Sequence, residues 1–569
     1  MCQRSFLFLG ILLIAVIGSQ AETVPCKLRN VDNGKVCVCS EDHCDYLENP
    51  TLEDVNEFAI VSSSKQGLRF ATLGGEFQKD EKYTVADYEE SEATKSNLTE
   101  EVSKFDVIAL LVEKATAFLE LAEDSQKNSR ASSITRSVTL SVDRSKQHQK
   151  IVGFGGSFTG AVSYLTDQYP QKLQDHLYES FYAADGLGFN LMRISIGGCD
   201  FDLGPWAYNE QPEGDATLSA MEELDDRDVL RVAQIKRLIE VSGIENLRIK
   251  AAAWSAPPWM KTNNRWTGFG RLKREYYQAW ADYHIKWLEL MEKNGLPIWA
   301  ISTGNEPLNG IFFMYFVRFM SMGWTPQKQA VWLDEHLGPT LRSSKFKDIV
   351  LFGNDDQRWS FPHWFKMMNH TRPHSIDYLD GLSVHWYWDE IFGPSLMDET
   401  NDYLPDKIRI VSESCIGDKP WQKSAPLLGS WERGEKYARS FLQNLQHGLH
   451  GWIDWNIILD EIGGPNYVDN TVDAPVIANT TTFEEFYKQP MFYAMGHFSK
   501  FVPEGSVRID AIASNVNLNT VAFERPDGQI AAVLFNSGRA DLDITVVDSV
   551  RGTLIINVPP KSIHTLLYS

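Results

Sequence analysis

The stretch Ile298-Trp299-Ala300-Ile301-Ser302-Thr303-Gly304-Asn305-Glu306-Pro307 reads as a short apolar strand that runs out into a polar loop carrying a carboxylate. A short, nearly continuous apolar run has the pattern of a strand covered on both faces, as in parallel sheets. The same texture recurs on either side, at 151–155, 189–196, 247–254, 349–353, 382–387, 408–412 and 451–456. Amphipathic segments lie between these runs, among them 229–241, 276–293 and 432–450, and Thr325-Pro326 has the N-cap and first-turn chemistry of a helix start. Eight such alternations predict an α/β fold, a (β/α)8 TIM barrel over 149–499. A doubly wound open sheet shares the alternation and is the second choice.

After the barrel the pattern changes. Strand-like runs at 507–513, 520–524, 530–536, 542–547 and 553–558 follow one another without helical periodicity, and Pro526-Asp527-Gly528 supplies hairpin turn chemistry. They predict a β-sandwich over 500–569, completed by strand-like residues within 61–148 to give a discontinuous second domain. Within 61–148, Phe105, Ile108, Val112, Ala115 and Leu119 fall at helical spacing and predict an extra amphipathic helix over 105–121.

Cys26, Cys37, Cys39 and Cys44 crowd into 22–60, which predicts a short disulfide-stapled N-terminal module. Zinc is the competing reading, but neither a CxxC pair nor a suitably spaced histidine set accompanies them. Cys199 and Cys415 are expected to be free thiols. Arg4, the apolar run 6–17 and the small residues Ser19-Gln20-Ala21 predict a secretory signal peptide over 1–21. The run is shorter than the ~20 residues that span a bilayer, so no transmembrane segment is expected after its removal. Sequons at Asn97, Asn369 and Asn479 predict glycosylation in the secretory pathway.

The chain has 569 residues, 43% of them hydrophobic, and a net charge of −22. This is a globular composition, too long for one core, and its acidic balance disfavours a nucleic-acid partner. In a barrel the reacting groups sit at the carboxyl ends of the strands. Glu306 and Glu413 satisfy that test, since each follows an apolar run. Two facing carboxyls suit glycoside hydrolysis, one to protonate the departing oxygen and one to attack or to activate water. Trp254, His385, Trp386, Tyr387 and Trp455 offer aromatic surface at other strand ends, and Asn305 and Asn470 offer amides that read hydroxyls. Gly153-Phe154-Gly155-Gly156 lacks the third glycine of a dinucleotide loop, no Walker motif occurs, and Gly155-Gly156-Ser157-Phe158-Thr159 lacks the last glycine of a nucleophile elbow. No cofactor and no metal is expected.

Gly153-Phe154-Gly155-Gly156, Trp254-Ser255 with Pro258-Trp259, Asn305-Glu306-Pro307, His385-Trp386-Tyr387, Ser412-Glu413 and Gly463-Gly464-Pro465-Asn466 fall in an order that resembles the lysosomal acid glucosylceramidases of glycoside hydrolase family 30. The resemblance extends over nearly the whole chain after the signal peptide. It implies a barrel joined to a β-sandwich and a retaining hydrolysis of glucosylceramide to glucose and ceramide. Glu413 would be the nucleophile and Glu306 the acid/base, kept protonated. Trp254, Asn305, Trp455 and Asn470 would contact the glucosyl unit, with His385, Tyr387 and Arg193 shaping the pocket. It also implies disulfides Cys26–Cys37 and Cys39–Cys44, a lysosomal location, an anionic lipid surface and a saposin-type activator. Two departures stand out. Gly160 and Gly304 replace acidic residues that the family usually carries, and the first of these would read a sugar hydroxyl. Its loss keeps two alternatives open: a related β-glycosidase with another substrate, or a weakly active glycolipid-binding homologue.

Overall fold

Eight parallel strands close into a barrel in the computed structural model, which describes residues 23–77, 136–312, 317–419, 422 and 426–569. The expected signal peptide, the helix at 105–121 and the sequon at Asn97 lie outside the described residues. The barrel strands are β1 (Gly153–Ser157), β2 (Leu191–Ile196), β3 (Arg248–Ala253), β4 (Ala300–Ser302), β5 (Val350–Gln357), β6 (Gly381–His385), β7 (Ile408–Glu413) and β8 (Gly451–Asp454). Each pairs in parallel with its sequence neighbour, and β8 returns to β1. Closure excludes the open-sheet alternative. Leu191, Ala300, Phe352, Ile410 and Ile453, from five different strands, form a separate apolar cluster. Since β2 and β5 are not neighbours around the ring, they meet only through the interior, which is a packed layer of side chains.

The helices follow the sequence pattern closely. Helices Asp226–Ser242, Tyr277–Lys293 and Trp431–Gln446 cover the predicted amphipathic segments. Helix Pro326–Trp332 is capped by Thr325, whose side chain accepts from the Lys328 amide.

The β-sandwich is one nine-stranded sheet, in the order Gly552–Val558, Leu542–Asp548, Arg136–Lys150, Val507–Ala513, Asn519–Glu524, Ile530–Asn536, Ser562–Tyr568, Glu57–Ser64 and Ala71–Glu76. In a flat sheet, strands five places apart would stand roughly 24 Å from each other. Yet Tyr568 Oη donates to Asp548 Oδ2 at 2.9 Å, and the Arg144 guanidinium lies 5.5 Å from the Tyr568 ring. The sheet therefore curls back on itself around one core that includes Leu140, Ile544, Leu534 and Leu566.

Both predicted disulfides are present, Cys26–Cys37 and Cys39–Cys44, and Cys199 and Cys415 are free and buried. The cysteine-bearing strands do not stand apart from the rest of the fold. Gly34–Ser40 pairs with Leu28–Val31 on one side and with Glu485–Lys488, late in the chain, on the other. The boundary anticipated at residue 60 falls inside strand Glu57–Ser64, which pairs along its length with Ser562–Tyr568. Asn369 is exposed on helix His363–Thr371, while the half-buried Asn479 donates to Tyr487 Oη at 3.1 Å. Among the described residues no helix is long and apolar enough to cross a membrane.

Barrel and sandwich meet at helix Pro490–Ser499, where Thr565 Oγ1 donates to the His497 carbonyl at 2.9 Å. Nearby, His564 sits between Ser62 and Ser562, each at 2.7 Å. Burial holds His564 at about 4, and burial together with His564 holds His497 well below the ordinary value. Below 6.5 the unfolded chain takes up protons that these folded rings refuse, so their contribution to stability falls as the pH drops from 6.5 toward 4. Thermal midpoints at pH 7 and pH 5 should therefore fall less for His564→Gln than for the wild type. An equal drop would remove His564 from the account.

Candidate active site

Glu413 is the last residue of β7, and Glu306 stands four residues beyond β4. The turn that presents Glu306 is conformationally unusual. Gly304 has φ +122° and Glu306 itself φ +43°, a region that side chains other than glycine seldom enter. Two hydrogen bonds hold it there, from the Asn305 amide to the Ala253 carbonyl at 2.9 Å and from the Glu306 amide to the Asp355 carbonyl at 3.0 Å. Local strain of this kind persists where the surroundings over-determine it, commonly at functional sites. It also explains Gly304, because a residue at that φ is most easily glycine.

The two carboxylates face each other across His385. One oxygen of Glu306, one of Glu413 and a ring nitrogen of His385 all lie within 4.8 Å of one another. His385 Nδ1 is 3.0 Å from Glu306 Oε1 and 3.8 Å from Glu413 Oε2. Arg193 Nη1 donates to Glu413 Oε2 and Arg193 Nη2 to Asn305 Oδ1, the latter at 2.6 Å. Tyr387 Oη donates to Glu413 Oε1 at 2.7 Å, and Gln357 and Asn309 both donate to Glu306. Trp254 and Trp455, each directly after its strand, stack at 5.2 Å between centroids, with Arg193 over both rings at 4.8 and 5.3 Å. Thus Glu306, Glu413, Arg193, Asn305, His385, Tyr387, Trp254 and Trp455 converge on the carboxyl end of the barrel.

Two residues that the sequence reading overlooked complete the group. Asp355 lies on β5 at a bulge, where the register against β6 skips it, and a bulge redirects the side chain that it carries. Its carboxylate takes Lys250 Nζ at 2.8 Å, Arg193 Nη2 at 3.4 Å and His385 Nε2 at 3.3 Å, with Ser412 Oγ donating as well. Asp200 lies four residues beyond β2 and accepts from Asn470 Nδ2 at 3.0 Å, which ties that predicted amide to the same end of the barrel. Asp200 ends the phrase Gly197-Gly198-Cys199-Asp200, so the strand-end criterion that found Glu306 would have found it too.

These contacts set the charge states. Burial opposes a charge on His385, but Glu413, Asp355 and Glu306 together raise its pKa to about 10, so the ring is an imidazolium. Burial would raise Asp355, yet Lys250 and Arg193 hold it well below the carboxylate range. Burial likewise pushes Glu306 up, but hydrogen bonds from His385 and Asn309 and the charge of Arg193 bring it below its ordinary value. This direction is opposite to the one expected of a standing protonated acid. Its proton is held next door, on His385. Asp200 goes the other way, raised to about 8 by burial and the charge of Glu413.

Gly160 leaves no vacancy. A Cβ at that position would stand 1.7 Å from Asp202 Oδ1, so the Asp202 carboxylate fills the corner where an aspartate was anticipated.

A closed barrel whose carboxyl end gathers two facing carboxylates, amide and carboxyl side chains and stacked indoles suits a glycoside hydrolase. The profile of the glycosyl hydrolase family 30 TIM-barrel domain matches residues 151–502, and that of the family 30 beta sandwich domain matches residues 505–566. The chain belongs to glycosyl hydrolase family 30. It is 33% identical over 539 residues to the lysosomal acid glucosylceramidase of Mus musculus, covering 94% of this chain and 93% of that one. To an endo-1,6-beta-D-glucanase of Trichoderma harzianum it is 26% identical, over 75% of this chain and 86% of that one. Among solved structures, SrfJ from Salmonella typhimurium shares the fold with a TM-score of 0.72 at 22% identity, over 90% of this chain and 99% of that one.

Two tests follow. Between pH 8 and about 4 folded Asp200 keeps a proton that the unfolded chain releases, so its ionisation penalises folding at pH 8 and the penalty fades with acid. Asp200→Asn should raise the thermal midpoint at pH 8 and match the wild type near pH 4, while turnover falls. An unchanged midpoint at pH 8 would contradict that assignment. Gly160→Asp should lower both the thermal midpoint and turnover, since it drives a second carboxylate into Asp202; a gain in activity would show that the corner has room.

Proposed function

We propose that the protein is a retaining β-glucosidase that hydrolyses glucosylceramide to glucose and ceramide. The observation that carries the chemistry is the close approach of Glu306 and Glu413. Carboxyls about 5–5.5 Å apart suit double displacement, whereas inverting enzymes need about 6.5–9.5 Å to admit water between them. Glu413, charge-paired with Arg193 and hydrogen-bonded by Tyr387, is the nucleophile that attacks the anomeric carbon. Glu306 is the acid/base. The proton that it passes to the departing oxygen comes from the imidazolium of His385, 3.0 Å away. Once Glu413 is esterified its negative charge is gone, and an ionised Glu306 suits removal of a proton from the incoming water. Trp254 and Trp455 give the sugar its stacking face, and Asn305, Asn470 and Asp200 read its hydroxyls.

The lipid aglycone is supported by what surrounds that face. Trp254 and Trp455 share one apolar cluster with Phe201 and Met320, and Trp266, Phe319, Leu428 and Tyr387 pack against it. A further sugar, as a β-1,6-glucan would present, needs hydroxyl readers there instead. The adjoining segment carries Arg265, Arg271, Lys273 and Arg274 beside the exposed Phe269, in a chain of net charge −22. Clustered cations around an exposed aromatic suit an anionic lipid surface. The lysosomal mouse relative supports a lysosomal location; the apolar run 6–17 supports a signal peptide, the sequons at Asn97, Asn369 and Asn479 support glycans added in the secretory pathway, and a saposin-type activator rests on the family resemblance alone.

The test is hydrolysis of glucosylceramide in anionic-lipid micelles at acidic pH, followed by NMR of the released glucose. Glucose should appear first as the β anomer. Glu413→Gln should reduce turnover to background, and Glu306→Gln should lower it by on the order of 10²- to 10⁴-fold. Release of the α anomer would refute the retaining mechanism, and faster cleavage of β-1,6-glucan than of glucosylceramide would refute the substrate.

A further inference from the structure

One buried cation in the barrel mouth has no part in the chemistry above. Lys261 is fully buried, and its Nζ donates to Ser255 Oγ at 2.9 Å, to the Trp266 carbonyl at 2.9 Å and to the Ser321 carbonyl at 2.8 Å. These acceptors engage all three N–H bonds of an ammonium. Among the described residues no carboxylate pairs with it, and burial alone lowers its pKa to about 7. Most of the remaining charges of these segments are also cations, Arg265, Arg271, Lys273 and Arg274 on its own side and Arg318 on the other, all exposed or half-buried, and Glu275, which follows Arg274, is exposed. A buried ammonium without a counter-charge is costly, and the acceptors that it gathers repay that cost only in part.

The three acceptors belong to two segments of the mouth. Ser255 directly follows the sugar-stacking Trp254, and Trp266 lies on the loop that follows. Ser321 lies on the facing segment, whose neighbours Phe319 and Met320 join Trp266 in the cluster around Trp254 and Trp455. Backbone bonds reinforce the join, from the Ser321 amide to the Trp266 carbonyl at 3.0 Å and from the Gly323 amide to the Gly270 carbonyl at 2.8 Å. The Met320 amide in turn donates to Tyr467 Oη at 3.0 Å.

We infer that Lys261 is a positioning residue for the leaving group: its ammonium clasps the two segments so that Trp266, Phe319 and Met320 form one wall for an apolar aglycone beside Trp254. The inference rests on the glycosidase reading above but not on ceramide in particular. Lys261 acts through the loops and touches no reacting atom. Its removal loosens the wall, so affinity for long apolar aglycones falls while cleavage of a small one proceeds.

The test uses the full chain, with 4-nitrophenyl β-glucoside as the small substrate and alkyl β-glucosides from butyl to dodecyl as the graded series. In the wild type kcat/KM should climb with alkyl length. Lys261→Met should keep nitrophenyl turnover within about twofold and lose on the order of tenfold in kcat/KM at dodecyl, mainly through KM. Ser255→Ala, which deletes one acceptor and keeps the cation, should move the series the same way by a smaller factor, and it carries the test if Lys261→Met does not fold. Equal losses on the nitrophenyl and dodecyl substrates, or an unchanged chain-length gradient in a folded variant, would overturn the inference. A wild type that cleaves no glucoside overturns the glycosidase reading and this inference together. A wild type that shows the alkyl gradient but leaves glucosylceramide intact overturns the ceramide assignment alone and supports the wall.

Discussion

The buried carboxylate of Asp355 organises the catalytic end of the barrel. Four side chains from four strands, Lys250, Arg193, His385 and Ser412, converge on it, and its own carbonyl accepts the Glu306 amide. An uncompensated charge at that depth would be prohibitive, so the cations are required by the anion as much as the anion by the cations. Arg193 and His385 reach outward from Asp355 to the two facing glutamates. The orientation of the facing glutamates thus depends on a third, fully buried carboxylate.

The charges alternate in space. Asp355, Glu306 and Glu413 are interleaved with Lys250, Arg193 and His385, and Asp200 at the margin is neutral over the acidic range. Asp355 and Glu306 are thus held below the ordinary carboxylate value by charged neighbours and hydrogen bonds rather than by water, which suits a pocket whose members are nearly all buried. The same arrangement removes the need for a permanently protonated acid. A proton shared along His385 and Glu306 is available at one stage of a displacement reaction and absent at the next.

Much of this was legible in the amino-acid order. The eight apolar runs located every barrel strand within a few residues, and the strand-end rule found Glu306 and Glu413 because each follows its run almost at once. Asp355 escaped because the run at 349–353 loses its apolar character while β5 continues to Gln357 through the bulge. A polar strand interior resembles a loop when only periodicity is read. Asp200 meets the same rule, four residues beyond β2 as Glu306 is beyond β4, so its omission has no physical cause. The partnership of Gly34–Ser40 with Glu485–Lys488 had no local signal at all, since the pairing of strands more than 400 residues apart is decided by tertiary packing. The crowding at Gly160 had no local signal either, since the Asp202 carboxylate beside it comes from a different loop.

The curled sheet joins segments that lie on either side of the barrel in sequence. Strand Glu57–Ser64 runs beside Ser562–Tyr568, and Arg136–Lys150 lies between strands that begin at Val507 and Leu542. During synthesis the early strands leave the ribosome with apolar faces and open edges, and their partners are made only after the barrel. The barrel between them has every strand that it needs before that point. Maturation of this fold is consequently governed by synthesis of the late sandwich strands, and the interval before they arrive is when exposed edges are most prone to pair with other molecules.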